Sequence, residues 1–245
     1  MYGWRGRIGL IVPSLNTTAE MEFHQMAPEG VSVHTARVFN KEVTREEEKE
    51  KAILQMSSEL LRAAKELASV DPGVIIYACT TASFIKGPGY DKELGEKIKG
   101  ETGVPGYSTT TAVVEALNAF KLRKIVLATP YNIGIGKKET EFLLKGIPGM
   151  KVLAEKHLDI VAGLPKGEIR PEVPYRMARE IDRPDADGIF ISCTNFRTIE
   201  IIELLEADTG KPVVTSNQAS MWIALKALGV VGPKGYGRLF QKGTI

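Results

Sequence analysis

The chain has 245 residues, 43% of them hydrophobic, and 32 Lys and Arg nearly balance 30 Asp and Glu, leaving a formal net charge of +2. This length allows one large domain or two small ones with a real buried core, and the absence of a basic stripe with interleaved aromatics excludes nucleic acid as an expected partner. No apolar run in the sequence approaches the ~20 residues that span a bilayer, and residues 1–5 lack a signal-peptide pattern, so we predict a cytoplasmic protein that binds no membrane.

Short β-branched runs alternate with long amphipathic stretches, a pattern typical of parallel-sheet α/β proteins. Arg7–Val12 reads as a buried strand that stops at Pro13, and Val31–Phe39 reads as a second strand. Thr44 is predicted to cap a long helix, because Thr44-Arg45-Glu46-Glu47 has the spacing of a capping box. The acidic start of this helix is interpreted as a solvated face. Val74–Ala78 is the next predicted strand, and it runs directly into a cysteine.

The sequence then begins again at Lys124, which indicates an internal repeat. RIGLIVPSLN is matched by KIVLATPYN, GVIIYACTTAS by GIFISCTNF, and GVPGYSTTTAVVEAL by GKPVVTSNQASMWIAL, in the same order. We therefore predict an α/β fold of two pseudo-symmetric lobes, each a short parallel sheet flanked by helices, with the active site in the cleft between them. The predicted boundaries are 1–110 plus 216–245 for the N-terminal lobe and 111–215 for the C-terminal lobe.

The only two cysteines, Cys79 and Cys193, occupy equivalent strand ends in this repeat. Ligands of open parallel sheets bind at the carboxyl ends of the strands, so the two thiols are expected to line one cleft from opposite sides. A lone cysteine there is more often core filler, and a disulfide is a further possibility, but the matched positions favour a working pair. Each is predicted to precede a helix N-terminus, which would lower the thiol pKa.

Polar residues follow the same strand ends and are candidates for binding an anion at helix starts. They are Ser14, Asn16, Tyr131, Asn132, Thr194 and Asn195. Helix capping is the competing interpretation for such side chains.

Cofactor and metal signals are weak. Gly134-Ile135-Gly136 is half of a dinucleotide fingerprint and is interpreted as a flexible turn, and no Walker sequence occurs. His24, His34 and His157 lack metal-ligand spacing. We expect neither a cofactor nor a metal.

These motifs resemble the aspartate/glutamate racemase superfamily, and VPSLNTTAE, ACTTAS, TPYN and SCTNFRT are most similar to its maleate cis-trans isomerase and arylmalonate decarboxylase branch. The resemblance covers about Arg7 to Leu228. Racemases of the superfamily carry acid/base helpers beside the second cysteine that are absent here, and the decarboxylases carry glycine at the position of Cys79. The isomerases carry an asparagine near the position of Gly163, so this chain departs from their pattern there.

The resemblance implies a cofactor-independent cis-trans isomerase that converts maleate to fumarate, working as a homodimer or higher homo-oligomer on a small carboxylate substrate. Cys79 would attack the alkene and Cys193 would supply a proton, while Thr80 and Thr81 join the polar residues above in holding the carboxylates. Alternatives are a racemase of an amino acid or related acid, then an arylmalonate-type decarboxylase, and a two-lobed solute-binding module without chemistry.

Overall fold

A computed structural model describes residues 1–242, which form eight β-strands and ten α-helices. The strands are β1 (Gly6–Pro13), β2 (Val31–Val38), β3 (Val74–Tyr77), β4 (Gly106–Ser108), β5 (Lys124–Tyr131), β6 (Lys151–Ile160), β7 (Gly188–Ile191) and β8 (Val213–Thr215). The helices are α1 (Ala19–Met26), α2 (Glu46–Ser57), α3 (Leu60–Ala68), α4 (Thr80–Phe84), α5 (Tyr90–Thr102), α6 (Thr109–Ala119), α7 (Ile133–Gly146), α8 (Glu172–Ile181), α9 (Ile202–Thr209) and α10 (Ser216–Ala227). None of the helices in residues 1–242 is long and apolar enough to cross a membrane.

The strands form two parallel four-stranded sheets with the same order, β2-β1-β3-β4 and β6-β5-β7-β8. The register repeats as well, since Ile11 pairs with Tyr77 in the first sheet and Ala128 pairs with Ile191 in the second. The predicted two-lobed α/β fold is therefore confirmed.

The central strands β3 and β7 are buried along their whole length. Parallel sheets are covered by helices on both faces, which is why VIIY and GIFI are continuous apolar runs rather than alternating ones. Cys79 and Cys193 each follow two residues after the end of these strands. The repeat thus places both thiols at equivalent points on the carboxyl edges of the two sheets.

The predicted capping box at Thr44 is wrong. Helix α2 begins at Glu46, with Arg45 at the N-cap and no side-chain cap, and Thr44 is exposed outside the helix. The long helix is also interrupted, because the hydroxyls of Ser57 and Ser58 bond back to backbone carbonyls of the last turn of α2. Such bonds compete with helix continuation, so the segment divides into α2 and α3.

The predicted flexible turn at residues 134–136 is also wrong, because these residues form the first turn of α7. A Cβ atom at Gly136 would lie 2.1 Å from the His157 ring, and one at Gly134 would lie 2.0 Å from a Glu46 carboxylate oxygen. These glycines permit close packing of the helix start.

Helix α10 follows the second sheet but packs against α6 and α1, and it contacts β3. The boundaries expected from the sequence remain a prediction, and the last three positions of its 216–245 segment lie outside the described residues.

Candidate active site

A cavity of about 570 Å³, its open mouth included, lies between the carboxyl edges of the two sheets. Both cysteines line it, as do seven of the eight predicted binding residues: Asn16, Thr80, Thr81, Tyr131, Asn132, Thr194 and Asn195. Ser14 is not in its wall, and its hydroxyl instead accepts a hydrogen bond of 2.9 Å from the backbone N–H of Asn40. The two halves of the repeat therefore converge on one site.

Cys79 is a free thiol at the N-cap of the short helix α4 and is 9% exposed. Burial raises the pKa of this thiol to about 12, although the backbone N–H of Ala82 and the charges of Lys49 and Lys166 oppose the rise. The expectation of a lowered thiol pKa is therefore wrong. Loss of hydration outweighs what a helix of five residues supplies.

Cys193 is a free thiol and is 6% exposed. Its φ of +107° lies in a region that residues with a side chain rarely adopt, and such strain concentrates at functional sites. Its backbone N–H donates to Ser216 Oγ at 3.0 Å, and the N–H of Asn195 donates to its sulfur at 3.4 Å.

Burial also raises the pKa of the Cys193 thiol, with Lys166 the largest opposing influence. No helix starts directly after Cys193, since α9 begins only at Ile202. The helix N-terminus expected to lower the pKa of this second thiol is thus missing.

Several predicted binding residues are used to join the lobes. The amide of Asn16 donates to Thr194 Oγ1 at 3.1 Å, and that hydroxyl donates to the carbonyl of Ala78 at 3.1 Å. Asn16 Oδ1 also accepts backbone N–H groups at the start of α1. Thr80 Oγ1 donates at 3.0 Å to the same Ser216 oxygen that binds the backbone of the second cysteine. The backbone around each thiol is therefore held by the opposite lobe.

The side chain of Asn195 is fully engaged with the protein. Its Oδ1 accepts the backbone N–H of Thr17 at 2.9 Å, and its Nδ2 donates to the carbonyls of Leu15 and Gly163 at 3.3 and 3.0 Å. We interpret this side chain as a bridge between the lobes. The backbone N–H of the same residue lies beside the Cys193 thiol.

Three predicted residues, Thr81, Tyr131 and Asn132, retain groups that can meet a ligand. The Tyr131 side chain is buried in the cavity wall beside Thr81 and Cys193, and its ring packs edge-on against Phe84 with centroids 6.3 Å apart. The amide nitrogen of Asn132 is buried without a hydrogen-bond partner in residues 1–242. A buried donor without a partner is costly, so this amide is suited to a ligand oxygen.

The cavity wall also contains two lysines that were not predicted from the sequence, Lys49 and Lys166. Lys49 lies on the buried face of α2 with Ile53 and Met56, at the spacing of one helical stripe, and this periodicity could have revealed it. Lys166 lies in the 3-10 helix Leu164–Glu168, where no periodic signal exists. Burial lowers the pKa of both ammonium groups, that of Lys166 to about 8.

Gly163 lines the cavity at the start of the 3-10 helix. A Cβ atom there would lie 2.9 Å from Glu42 Oε2 and 3.0 Å from the side chain of Leu15. The local packing is therefore built around the absence of a side chain at this position.

A model of the arylmalonate decarboxylase family matches residues 8–240. The chain belongs to this family. The maleate isomerase of Pseudomonas putida is 31% identical to it over 91% of both chains. The arylmalonate decarboxylase of Bordetella bronchiseptica is 28% identical over 73% of this chain and 75% of its own.

Among solved structures, a mutant of the Nocardia farcinica maleate cis-trans isomerase with a covalently bound succinylcysteine intermediate matches with a TM-score of 0.88. It is 26% identical and covers 97% of this chain and 99% of its own. The branch predicted from the motifs is thus confirmed, and the relatives support an isomerase within the arylmalonate decarboxylase family.

Proposed function

We propose that this protein is a cis-trans isomerase of a small unsaturated dicarboxylate, maleate to fumarate, and that its two cysteines perform the chemistry. The observation that carries the proposal is the pair of free thiols that reach one cavity from equivalent positions on two lobes. Similarity to maleate isomerases over most of the chain and the succinylcysteine intermediate of the Nocardia farcinica protein support it.

Isomerisation requires the C=C bond to become a single bond briefly. Cys79 loses its proton to solvent, and its thiolate forms a C–S bond with one alkene carbon while the π electrons move toward the far carboxylate. Cys193 then donates its proton to the other alkene carbon, which gives a succinyl thioether with a rotatable C–C bond. After rotation, Cys193 removes that proton, the C–S bond breaks, fumarate leaves, and the Cys79 thiolate regains its proton from solvent.

Negative charge develops on one carboxylate during the addition, as an enediolate. The Tyr131 hydroxyl and the unpaired amide of Asn132 are placed in the cavity wall to donate to it. Thr81 lies beside Tyr131 and supplies a further hydroxyl. Donors already oriented toward developing charge commonly contribute the largest catalytic effect, and loss of one costs about a hundredfold or more in rate.

Decarboxylation of an arylmalonate is the second candidate, favoured by the similarity to the Bordetella bronchiseptica enzyme. That reaction replaces a carboxylate by a proton on one face and needs a single thiol as proton donor. The presence of Cys79 opposite Cys193 supports the two-thiol reaction instead. A racemase would also use two thiols, one for each face of a stereocentre.

An NMR assay with maleate tests the proposal, with Cys79→Ser and Cys193→Ser run beside the wild type. Fumarate formed by the wild type and lost in both variants is the expected result. Phenylmalonate, and aspartate and glutamate in D₂O, serve as comparison substrates. Loss of carboxylate from phenylmalonate or deuterium uptake at an amino acid, without fumarate from maleate, would reject the isomerase.

A further inference from the structure

The ammonium group of Lys49 has no partner within residues 1–242. The residue is 9% exposed, and its side chain forms neither a hydrogen bond nor an ion pair in this part of the chain. Acidic neighbours on the same segment are engaged elsewhere, since Glu48 pairs with Arg45 and Glu50 pairs with Lys138. A lysine is rarely buried without a partner, because the loss of hydration is not repaid.

Lys166 is 5% exposed and only partly satisfied. Its Nζ donates to the carbonyls of Val161 and Ala162 at 3.0 and 2.6 Å, and an ammonium group has three donors. The residue lines the cavity, so its third donor is available to a ligand there. Carbonyl oxygens orient the ammonium group but do not neutralise its charge.

Glu42 is the carboxylate whose negative charge raises the pKa of both lysines, and its side chain is exposed. Its two oxygens accept the backbone N–H groups of Gly163 and Leu164 at 2.8 and 3.1 Å, and it forms no ion pair with either lysine. The residues that line the cavity include both lysines and no acidic side chain. With the thiols protonated, the cavity carries two positive charges.

The two charges follow the symmetry of the thiols. Lys49 lies on α2, which connects strands of the first sheet, and Lys166 lies after β6 of the second sheet. Each lobe therefore presents one thiol and one ammonium group to the same cavity.

We propose that Lys49 and Lys166 each bind one carboxylate of the substrate, so that the cavity selects a small dianion over a monoanion of similar size. The placement of the alkene between the thiols rests on the proposed function. The binding of a dianion by the two lysines does not. A carboxylate at each end of the ligand supplies the partner that each ammonium group lacks, and charge-assisted hydrogen bonds are about twice as strong as neutral ones.

Calorimetry with succinate and butyrate tests this assignment without turnover. These probes have the same number of carbons, and neither can be isomerised. We expect wild type to bind succinate more tightly than butyrate. Lys49→Met should weaken succinate binding about tenfold or more and reduce that preference, as expected for loss of a hydrogen bond to a charged group. Lys49→Arg should restore most of the affinity, and Lys51→Met, on the exposed face of the same helix, should bind as wild type does.

Thermal unfolding separates this role from a structural one. Lys49→Met removes a buried charge, so its melting temperature should equal or exceed that of wild type, whereas a structural lysine would lower it. Lys166→Met provides the second arm and should also weaken succinate binding.

Equal affinity of wild type for succinate and butyrate, or unchanged succinate affinity in Lys49→Met, would overturn the inference even if maleate is isomerised. Conversely, binding of succinate that depends on Lys49 in a protein that forms no fumarate would reject the proposed function alone.

Discussion

The side-chain amide of Asn16 donates a hydrogen bond of 3.1 Å to the hydroxyl of Thr194, which lies 178 residues further along the chain. The Thr194 hydroxyl in turn donates a hydrogen bond to the carbonyl of Ala78, the residue before Cys79. Each thiol is therefore held by a backbone that the opposite lobe fixes in place. A reaction that needs two groups on opposite faces of one bond depends on such a fixed separation, because small displacements of reacting groups cost large factors in rate.

Asn195→Ala should lower stability rather than act only on substrate binding. The variant loses four hydrogen bonds, two with Thr17 and one each with the carbonyls of Leu15 and Gly163, all in a partly buried region. We expect the free energy of unfolding to fall by about 1–3 kcal/mol. Thermal denaturation measures this, with Asn118→Ala on the exposed face of α6 as the control. An unchanged melting temperature with a raised KM for maleate would instead show direct substrate contact.

Cys193→Ser should separate the roles of the two thiols. Loss of the proton donor is expected to reduce turnover by about 10²–10⁴ fold, the usual contribution of a positioned acid or base. Because Cys79 can still add to the alkene, and water can slowly supply the proton in place of Cys193, a covalent adduct with the mass of one maleic acid should accumulate on Cys79. Intact-protein and peptide mass spectrometry would detect the adduct. An adduct on Cys193 in Cys79→Ser would reverse the assignment.

The repeat made the two sheets and the meeting of the thiols predictable, because strand–Cys–Thr recurs at the same place in the order of matched segments. The engagement of Asn195 was not predictable, since its partners lie near residue 16 and only the folded lobes bring them together. The thiol pKa was misjudged for a similar reason: the helix start at Cys79 is visible in the sequence, whereas burial is a tertiary property. Lys49 was hidden within an acidic segment, although its spacing from Ile53 placed it on the buried face.

Glu139→Gln should change how stability depends on pH. This buried carboxyl accepts a hydrogen bond from Ser192, its other oxygen has no partner in the described residues, and burial raises its pKa from 4.5 to about 8. Between those values the folded state holds a proton that the unfolded state has lost. Stability from this group therefore falls as pH rises from about 4.5 to about 8, and it levels off above.

The glutamine variant carries no charge to bury, so its stability relative to wild type should increase across that interval, by an amount on the order of a few kcal/mol. Chemical denaturation at about pH 5 and pH 8.5 measures the difference. Glu141→Gln, exposed on the same helix α7, is the matched control. If the difference in the free energy of unfolding between Glu139→Gln and wild type is the same at both pH values, the raised pKa of Glu139 is contradicted.

Affinity for succinate should decline above about pH 8, because the pKa of Lys166 is lowered to about 8 and a bound carboxylate favours its charged form. Burial is the main cause of the lowered pKa and the charge of Lys49 lowers it further, while Cys193, Glu42 and Cys79 raise it. Below pH 8 the ammonium group of Lys166 is already charged in the free protein, so its titration should not change the affinity for succinate with pH. Above it, binding requires uptake of a proton and should weaken by up to about tenfold per pH unit.

The thiols do not obscure this effect, since burial raises the pKa of both cysteines and that of Cys79 to about 12. Arginine in Lys166→Arg remains charged throughout, because a guanidinium group does not titrate in this range, so the variant should lose the part of the decline that Lys166 causes. Calorimetric titration of succinate between about pH 6.5 and 9.5 compares the two proteins. Matching profiles for wild type and Lys166→Arg would place the titrating group elsewhere in the cavity, whereas a decline in wild type alone assigns it to Lys166.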